Sequence, residues 1–399
     1  MREKIKKFTT SIIAGLFLLF ICGILAGNLR VPYKVAKDVL VGNDLKATID
    51  GAETRFNETF PLKNFFVDIN GLGNRLFQKK YIAGLVRLEN GHMTQELGPA
   101  RMEVLQDNAN KLTAFAQWFE EEKGGHVIYM QAPWKTPPGE DPNAVGYEDN
   151  LNSNADRFLT CLGEDVDVID LRQTMLASEM DFYDYFSKTE HHWNAYGGFH
   201  AFQALCQYMM DEYQEDIDPA VLDMANYELF IPEQTHLGYY GRKAGPWYTG
   251  YDQYPLIYPK FETQQTCSIP HKEIVRSGSF YDAIFDMGAM SAPKRTRDLY
   301  STYIGGDFPL VVHKSETAEN PGTIMLLIDS FGTIPEAFLT TAYQNVIAID
   351  LRWVLRLGWE ETTVDFIEKY DPDVVVVTLN PDQLRHENSE QFIFGLPTT

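Results

Sequence analysis

The stretch "GTIMLLIDSFGTIPEAFLTTAYQNVIAIDLRW" (residues 322–353) restricts the fold more than any other part of the chain. An apolar run stops at a tight polar turn, a helix-length stretch follows, and a second apolar run begins. "YDPDVVVVTLNPDQL" (residues 370–384) supplies a third. Strands that are apolar throughout, instead of alternating, are buried on both faces, and helices between them imply a parallel sheet covered on each side. Further upstream, "ARMEVLQDNANKLTAFAQWFEEEKGG" has apolar residues at helical spacing and stops at Gly124-Gly125. Two more strands are read in "HVIYMQAPWK", closed by Pro133, and in "VDVIDL", with a helix around residues 154–162 between them. The helix "GGFHAFQALCQYMMDEY" follows. The expected fold class is therefore α/β, a three-layer parallel sheet over residues 99–399.

Residues 214 to about 320 break this rhythm. They are rich in Tyr, Pro and Gly, as in "HLGYYGRKAGPWYTGYDQYPLIYP". The expectation is an irregular or β-containing insertion whose aromatic side chains either face substrate or pack on their own core.

The N-terminus is a separate case. "MREKIKKF" carries four basic residues and one acidic, and the 22 residues from Phe8 to Leu29 carry no charge. About 20 such residues span a bilayer as a helix, and the basic flank keeps the N-terminus in the cytoplasm. The expectation is an uncleaved signal anchor over residues 1–30, a membrane-proximal segment over 31–98, and a globular domain outside the cytoplasm. The protein would be secreted if the segment is cleaved; Leu25-Ala26-Gly27 makes a poor cleavage site. Without residues 1–30 (five basic, one acidic), 29 basic and 55 acidic residues remain, a net charge of −26. No basic stripe is left to neutralise phosphates, which argues against nucleic acid as a partner. Cys161, Cys206 and Cys267 allow at most one disulfide, and Cys206 falls in register with Phe199, Phe202 and Met209 as a core thiol.

In such a sheet, chemistry gathers at the carboxyl ends of the strands. "LLIDSFGT" places Ser330 there, between an apolar strand and a helix beginning near Pro335. Backbone N–H groups at the turn can stabilise an oxyanion, but a serine hydroxyl needs a base oriented by a carboxylate. "KTEHHWNAYGG" (residues 188–198) supplies Glu190 and His192, two apart and just before a helix. Each motif also has a plainer reading, Asp-Ser as a helix N-cap and "EHHW" as a polar helix entrance. No metal is expected, since His-x-x-Glu-His would require histidine at Ser187 and no further histidine follows His192 within a helical turn.

"SKTEHHWNAYGG" followed far downstream by "LLIDSFG" resembles the DHHW-motif proteins, relatives of the periplasmic alginate O-acetylation proteins in the SGNH hydrolase-like superfamily. The likeness covers most of residues 100–399, including "YMQAPWK" and "VDVIDL". It implies an SGNH-like fold with permuted motif order, Ser330 as nucleophile, His192 as general base and position 190 as the orienting acid. Asp is usual where this chain has Glu190, whose extra methylene shifts the carboxylate by about 1.5 Å, one C–C bond. His191 takes a supporting or packing role, and Trp193 contacts substrate or supports the site. Oxyanion candidates are the Ser330 N–H, Gly332, and Asn380, which stands where SGNH enzymes carry their oxyanion asparagine. Lys135 and Arg352, at strand ends, contact substrate or support the site. The function implied is extracytoplasmic O-acetyl transfer to a cell-surface polysaccharide, beside a multi-pass membrane acyltransferase of the MBOAT type and without a cofactor. The alternatives are a carbohydrate acetylesterase using the same residues, and a non-catalytic polysaccharide-binding or assembly scaffold.

Overall fold

The computed structural model describes residues 62–396, together with Gly15, Leu18, Cys22 and Gly23. Apart from those four positions, the segment read as an anchor lies outside the described residues, and among these no helix is long and apolar enough to cross a membrane. The chain divides into two units, Met1–Phe77 and Gln78–Thr399. In the first, Lys63–Leu76 is a helix entered through Leu62 in the left-handed region, with Phe65, Ile69 and Leu72 exposed.

The second unit is built on one eight-stranded sheet. Its strands are β1 (His126–Gln131), β2 (Val166–Asp170), β3 (Gln265–Ile269), β4 (Ile274–Gly278), β5 (Leu310–Ser315), β6 (Asn320–Ile328), β7 (Tyr343–Ile349) and β8 (Val374–Thr378). They lie in the order β2-β1-β8-β6-β7-β5-β3-β4. The first five are parallel and the last three pair antiparallel. The sheet is thus mixed, which corrects the all-parallel expectation. The three added strands come from the Tyr/Pro/Gly-rich insertion: β3 alternates buried and half-buried residues, and β4 is a mostly exposed edge. Alternation on short strands, with one turn made by Pro270–Lys272, suits the antiparallel geometry.

Alternate residues of the parallel strands feed two cores. Ile128, Ile324, Leu326, Ala348 and Val376 face one, with helices α3 (Ala195–Tyr213) and α5 (Thr333–Leu339). Val127, Met325, Leu327, Ile347 and Val375 face the other, with α1 (Met102–Lys123), α2 (Asn150–Leu159) and α6 (Thr363–Tyr370). Helices therefore cover both faces, as the uniformly apolar strands require. Cys206 lies in the first core, and the cysteines are unpaired.

Counting the parallel strands from β6, the order becomes fifth-fourth-third-first-second, which is the doubly wound 2-1-3-4-5 order read from the other edge. In sequence the winding opens on its fourth strand, so β6, which leads into the turn at Ser330, comes late. From β6 the chain moves outward to β7, then crosses back to β8 on the other side of β6. The gap beyond the ends of β6 and β8 is the switch point where such folds bind ligands.

Two glycines fix how α3 sits on this frame. A Cβ on Gly198 would lie 2.3 Å from Ile334 Cγ2 on α5, and one on Gly197 would lie 2.6 Å from Trp193 Cβ. Gly→Ala in a helix ordinarily stabilises by up to about 1 kcal/mol. Here Gly198→Ala should instead destabilise by about 1–3 kcal/mol through overpacking. The urea midpoint of the variant checks the sign.

Candidate active site

Three segments meet at the switch point, each stopped by a local device. The first is the turn after β6. Asp329 is buried, and its carboxylate accepts the N–H groups of Phe331 (2.9 Å) and Asn380 (2.8 Å), joining the ends of β6 and β8. Burial pushes the Asp329 carboxyl up, against the pull of Arg352 and the two N–H donors. The Gly332 N–H donates to the Asp329 carbonyl (2.9 Å). It is therefore engaged in the turn, which removes it as an oxyanion donor. Glycine is needed there for another reason, since a Cβ would lie 2.3 Å from Ile328 Cγ2.

The second segment is the polar stretch before α3. Asn194 caps that helix, accepting the N–H groups of Tyr196 (2.8 Å) and Gly197 (3.4 Å). The helix thus begins at Ala195, leaving Glu190, His191 and His192 in the loop ahead of it. Trp193 is fully buried against Phe331, with ring centroids 5.4 Å apart.

Across these two segments, His192 Nε2 lies 2.7 Å from Ser330 Oγ, the contact a general base makes with its nucleophile. On the far side of the ring, Nδ1 is 3.2 Å from Glu190 Oε1, although the ring is not aligned for a hydrogen bond. The same Oε1 lies 2.5 Å from His191 Nδ1 and accepts the His191 backbone N–H (2.8 Å). The two imidazoles are 3.7 Å apart. Neither Nδ1 is aligned for a hydrogen bond, so His191 shares the carboxylate through its backbone N–H and by proximity of its ring. Burial opposes ionisation of Glu190, but the adjacent His191 and His192 outweigh it and hold its carboxyl well below the usual range.

Burial lowers His192 to about 4, with His191 adding to the effect and Glu190 opposing it. A base neutral above about 4 is competent throughout the neutral range. Ester turnover should thus show its acid limb near 4, a limb belonging to the coupled His192–Glu190 pair, with no acid limb near the ordinary histidine value. Stability follows from the same depression. Between about 4 and 6.5 the unfolded state binds more protons at this residue, so its contribution is lost as pH falls through that window. A pH–rate profile recorded beside thermal melts tests both signs.

The third segment is the insertion, and it contains what the sequence reading missed. The Tyr239 N–H, opening α4 (Tyr239–Ala244), donates to Glu190 Oε2 at 2.5 Å. Gly238 packs so closely that a Cβ would lie 2.5 Å from Glu190 Cβ. Asp252 accepts from the Lys188 N–H (3.0 Å) and from the N–H and hydroxyl of Thr189. Tyr300 stacks on His192 (4.3 Å, 13°), and its hydroxyl donates to the Ser330 carbonyl. These residues lie 30 or more positions from the groups they hold, in a region without periodicity. Only the run of Tyr and Gly hinted at close packing.

The remaining site residues separate by geometry. The Ser330 N–H has no partner among the described residues. Asn380 caps the following turn through its carbonyl oxygen, which accepts the Asp382 N–H (3.0 Å), leaving the NH2 group as the atom that can serve an oxyanion. Arg352 forks onto Asp350 (2.6 and 3.0 Å) and reaches Asp307 at 3.5 Å, a structural pairing at the end of β7. Lys135 is fully buried and donates to the carbonyls of Ser187, Lys188 and Glu190. Glu190, His191 and His192, and likewise Glu190, His236 and Asp298, offer donor atoms close enough to share a cation. In the first set Glu190 Oε1 already faces both imidazoles. In the second, His236 Nδ1 accepts the Leu299 N–H.

No family model matches the chain, and no curated protein matches it. Its fold is similar to that of Bacillus cereus PatB1, solved with a sulfonyl adduct: TM-score 0.61, 19% identity, 78% of this chain and 97% of that one. It is also similar to a DHHW family protein from Eubacterium siraeum: TM-score 0.60, 18% identity, 78% of this chain and 95% of that one. The resemblance to DHHW-motif proteins drawn from the two sequence motifs thus extends to the fold.

Proposed function

We propose that the chain is an O-acetyltransferase of SGNH-like type, anchored in the membrane with its catalytic unit outside the cytoplasm, modifying a cell-surface polysaccharide. The observation that carries this reading is the 2.7 Å contact between Ser330 and His192, at a strand-end switch point, with a buried carboxylate behind the imidazole. The sulfonyl adduct in the PatB1 structure fits the same reading, since an activated hydroxyl is the type of group that sulfonylating reagents capture.

In the first half-reaction His192 Nε2 takes the Ser330 proton as Oγ attacks the acetyl carbonyl. The oxyanion draws on the Ser330 N–H and the Asn380 amide. His192 returns the proton to the departing group, leaving acetyl-serine. In the second half, His192 takes a proton from a sugar hydroxyl, whose oxygen attacks the ester, and Ser330 is reprotonated as the acetylated sugar leaves. The acetyl donor would come from a multi-pass acyltransferase beside the anchor, and no cofactor is required. Hydrolysis differs only in that water reaches the acyl-enzyme.

The test gives the full chain an activated acetyl ester with and without a deacetylated polysaccharide, and follows polymer-bound acetyl and free acetate. Acetyl appearing on the polymer in preference to acetate supports transfer. Acetate alone, at a rate the polymer does not change, assigns an acetylesterase. Neither product leaves the scaffold reading, to which the unaligned Glu190–His192 contact lends its one point of support.

A further inference from the structure

Lys135 follows β1 in "APWK" and has no exposed surface. Its ammonium donates to three backbone carbonyls, those of Ser187, Lys188 (3.2 Å) and Glu190. All three lie on the loop that presents the acid and the base. An ammonium has three N–H groups and a neutral amine two, so only the charged form can donate to all three, of which the Lys188 carbonyl also accepts the Met93 N–H (2.9 Å).

The rest of this loop is equally committed. The Thr189 carbonyl accepts the Gly241 N–H (2.9 Å), and the N–H groups of Lys188 and Thr189 go to Asp252. The loop is therefore clamped by the insertion and, from outside the insertion, by the Lys135 side chain and the Met93 N–H. The groups facing Lys135 are the carboxylates of Glu190 and Asp252, the Tyr240 ring at 5.9 Å, His92, and the neighbouring Lys188. His92 is held neutral, lowered to about 2 by burial and then by Lys135 and Lys188.

We propose that Lys135 is the positioning residue of the acid–base loop, and that activity is lost when its ammonium is neutralised. This rests on the reading of Ser330, His192 and Glu190 as the reacting set. Loss of the charge removes one N–H and turns the bonds to the Ser187 and Glu190 carbonyls from charge-assisted into neutral ones, about half as strong, the loop relaxes, and the His192–Ser330 contact lengthens. Displacements of about 1 Å at reacting groups can lower a rate about 100-fold. Burial lowers Lys135 to about 7, against the opposing pull of Asp252 and Glu190, so the neutralisation falls within an accessible range.

The test uses the full chain, turnover of an activated acetyl ester, and labelling of Ser330 by a sulfonyl fluoride. Wild-type protein should lose activity on an alkaline limb near 7. Lys135→Ala should fall about 100-fold. Propylammonium, which replaces the deleted atoms, should restore at least about a tenfold share of this, and propanol none. With the amine present, the alkaline limb should move to the amine's own pKa.

A folded Lys135→Ala with wild-type activity overturns the proposal. So does a loss that the amine does not restore. If Lys135→Ala does not fold, the wild-type profile decides: a rate independent of pH from about 6 to about 10, near the ordinary lysine value, also overturns it. Wild-type protein that neither labels nor turns over ester overturns the underlying reading and this one with it. An active wild type beside an indifferent Lys135→Ala overturns the positioning role alone.

Discussion

Ser330→Ala should abolish covalent labelling by a sulfonyl fluoride and lower acetyl-ester turnover by about 10⁴-fold or more, as removal of a serine nucleophile does elsewhere. The fold should survive, because the Ser330 side chain holds nothing but His192 Nε2, while the turn around it is kept by Asp329, Tyr300 and backbone bonds. His192→Ala should fall by a similar factor, and the double variant should be little worse than either alone, because groups that act as one unit are not additive. The measurements are intact-protein mass after labelling, ester turnover, and thermal melts of all three variants. A labelled, active Ser330→Ala would place the nucleophile elsewhere. Three folded proteins as inert as an inert wild type would favour the scaffold reading.

The parts of this arrangement that could be read from the sequence are those set by local rules. The segment from Asn320 to Leu339 was readable because its apolar run, Asp-Ser turn and helix-length stretch each obey a short-range preference, and the structure starts the helix at Thr333 where the sequence suggested Pro335. Glu190 and His192 were readable because they interrupt an apolar pattern just before a helix. The antiparallel half of the sheet was not. β3 and β4 form a local hairpin, but β5 joins β3 across residues 270–309 and pairs with β7, which lies beyond it in sequence, so nothing local specifies how the hairpin attaches to the parallel strands. The clamps on Glu190 were hidden for a related reason. Tyr239 acts through its backbone N–H, Gly238 through the absence of a side chain, and Lys135 through carbonyls, and none of these leaves a side-chain signature. The Gly332 N–H failed as an oxyanion candidate because a backbone donor's partner is decided by the turn's conformation, whereas residue type shows only that the turn is tight.

Glu190→Gln should lower ester turnover by about 10³- to 10⁴-fold, and the reason lies in how completely the carboxylate is used. Oε1 faces His191 and His192 together, and Oε2 takes the Tyr239 N–H. An amide keeps the volume but removes the charge that steadies the imidazolium, and one of its two heads becomes a donor facing donors. With the carboxylate of a comparable triad amidated, loss of about 10⁴-fold is the reference. Glu190→Asp should fare better but not well. Shortening the side chain by about 1.5 Å cannot keep both the Tyr239 N–H and the imidazoles, because the backbone at Glu190 is tied to Lys135 and pressed against Gly238 and cannot advance to compensate. A loss of about 10- to 100-fold is expected, the cost of a displacement near 1 Å. His192 offers a second readout. Glu190 opposes the lowering of its pKa, so Glu190→Gln should move the acid limb further down as well as reduce the plateau. The pH–rate profiles of both variants, with melts to confirm folding, are the measurement. Wild-type turnover in Glu190→Gln would show that the 3.2 Å contact to His192 is incidental and that the imidazole works without an orienting acid.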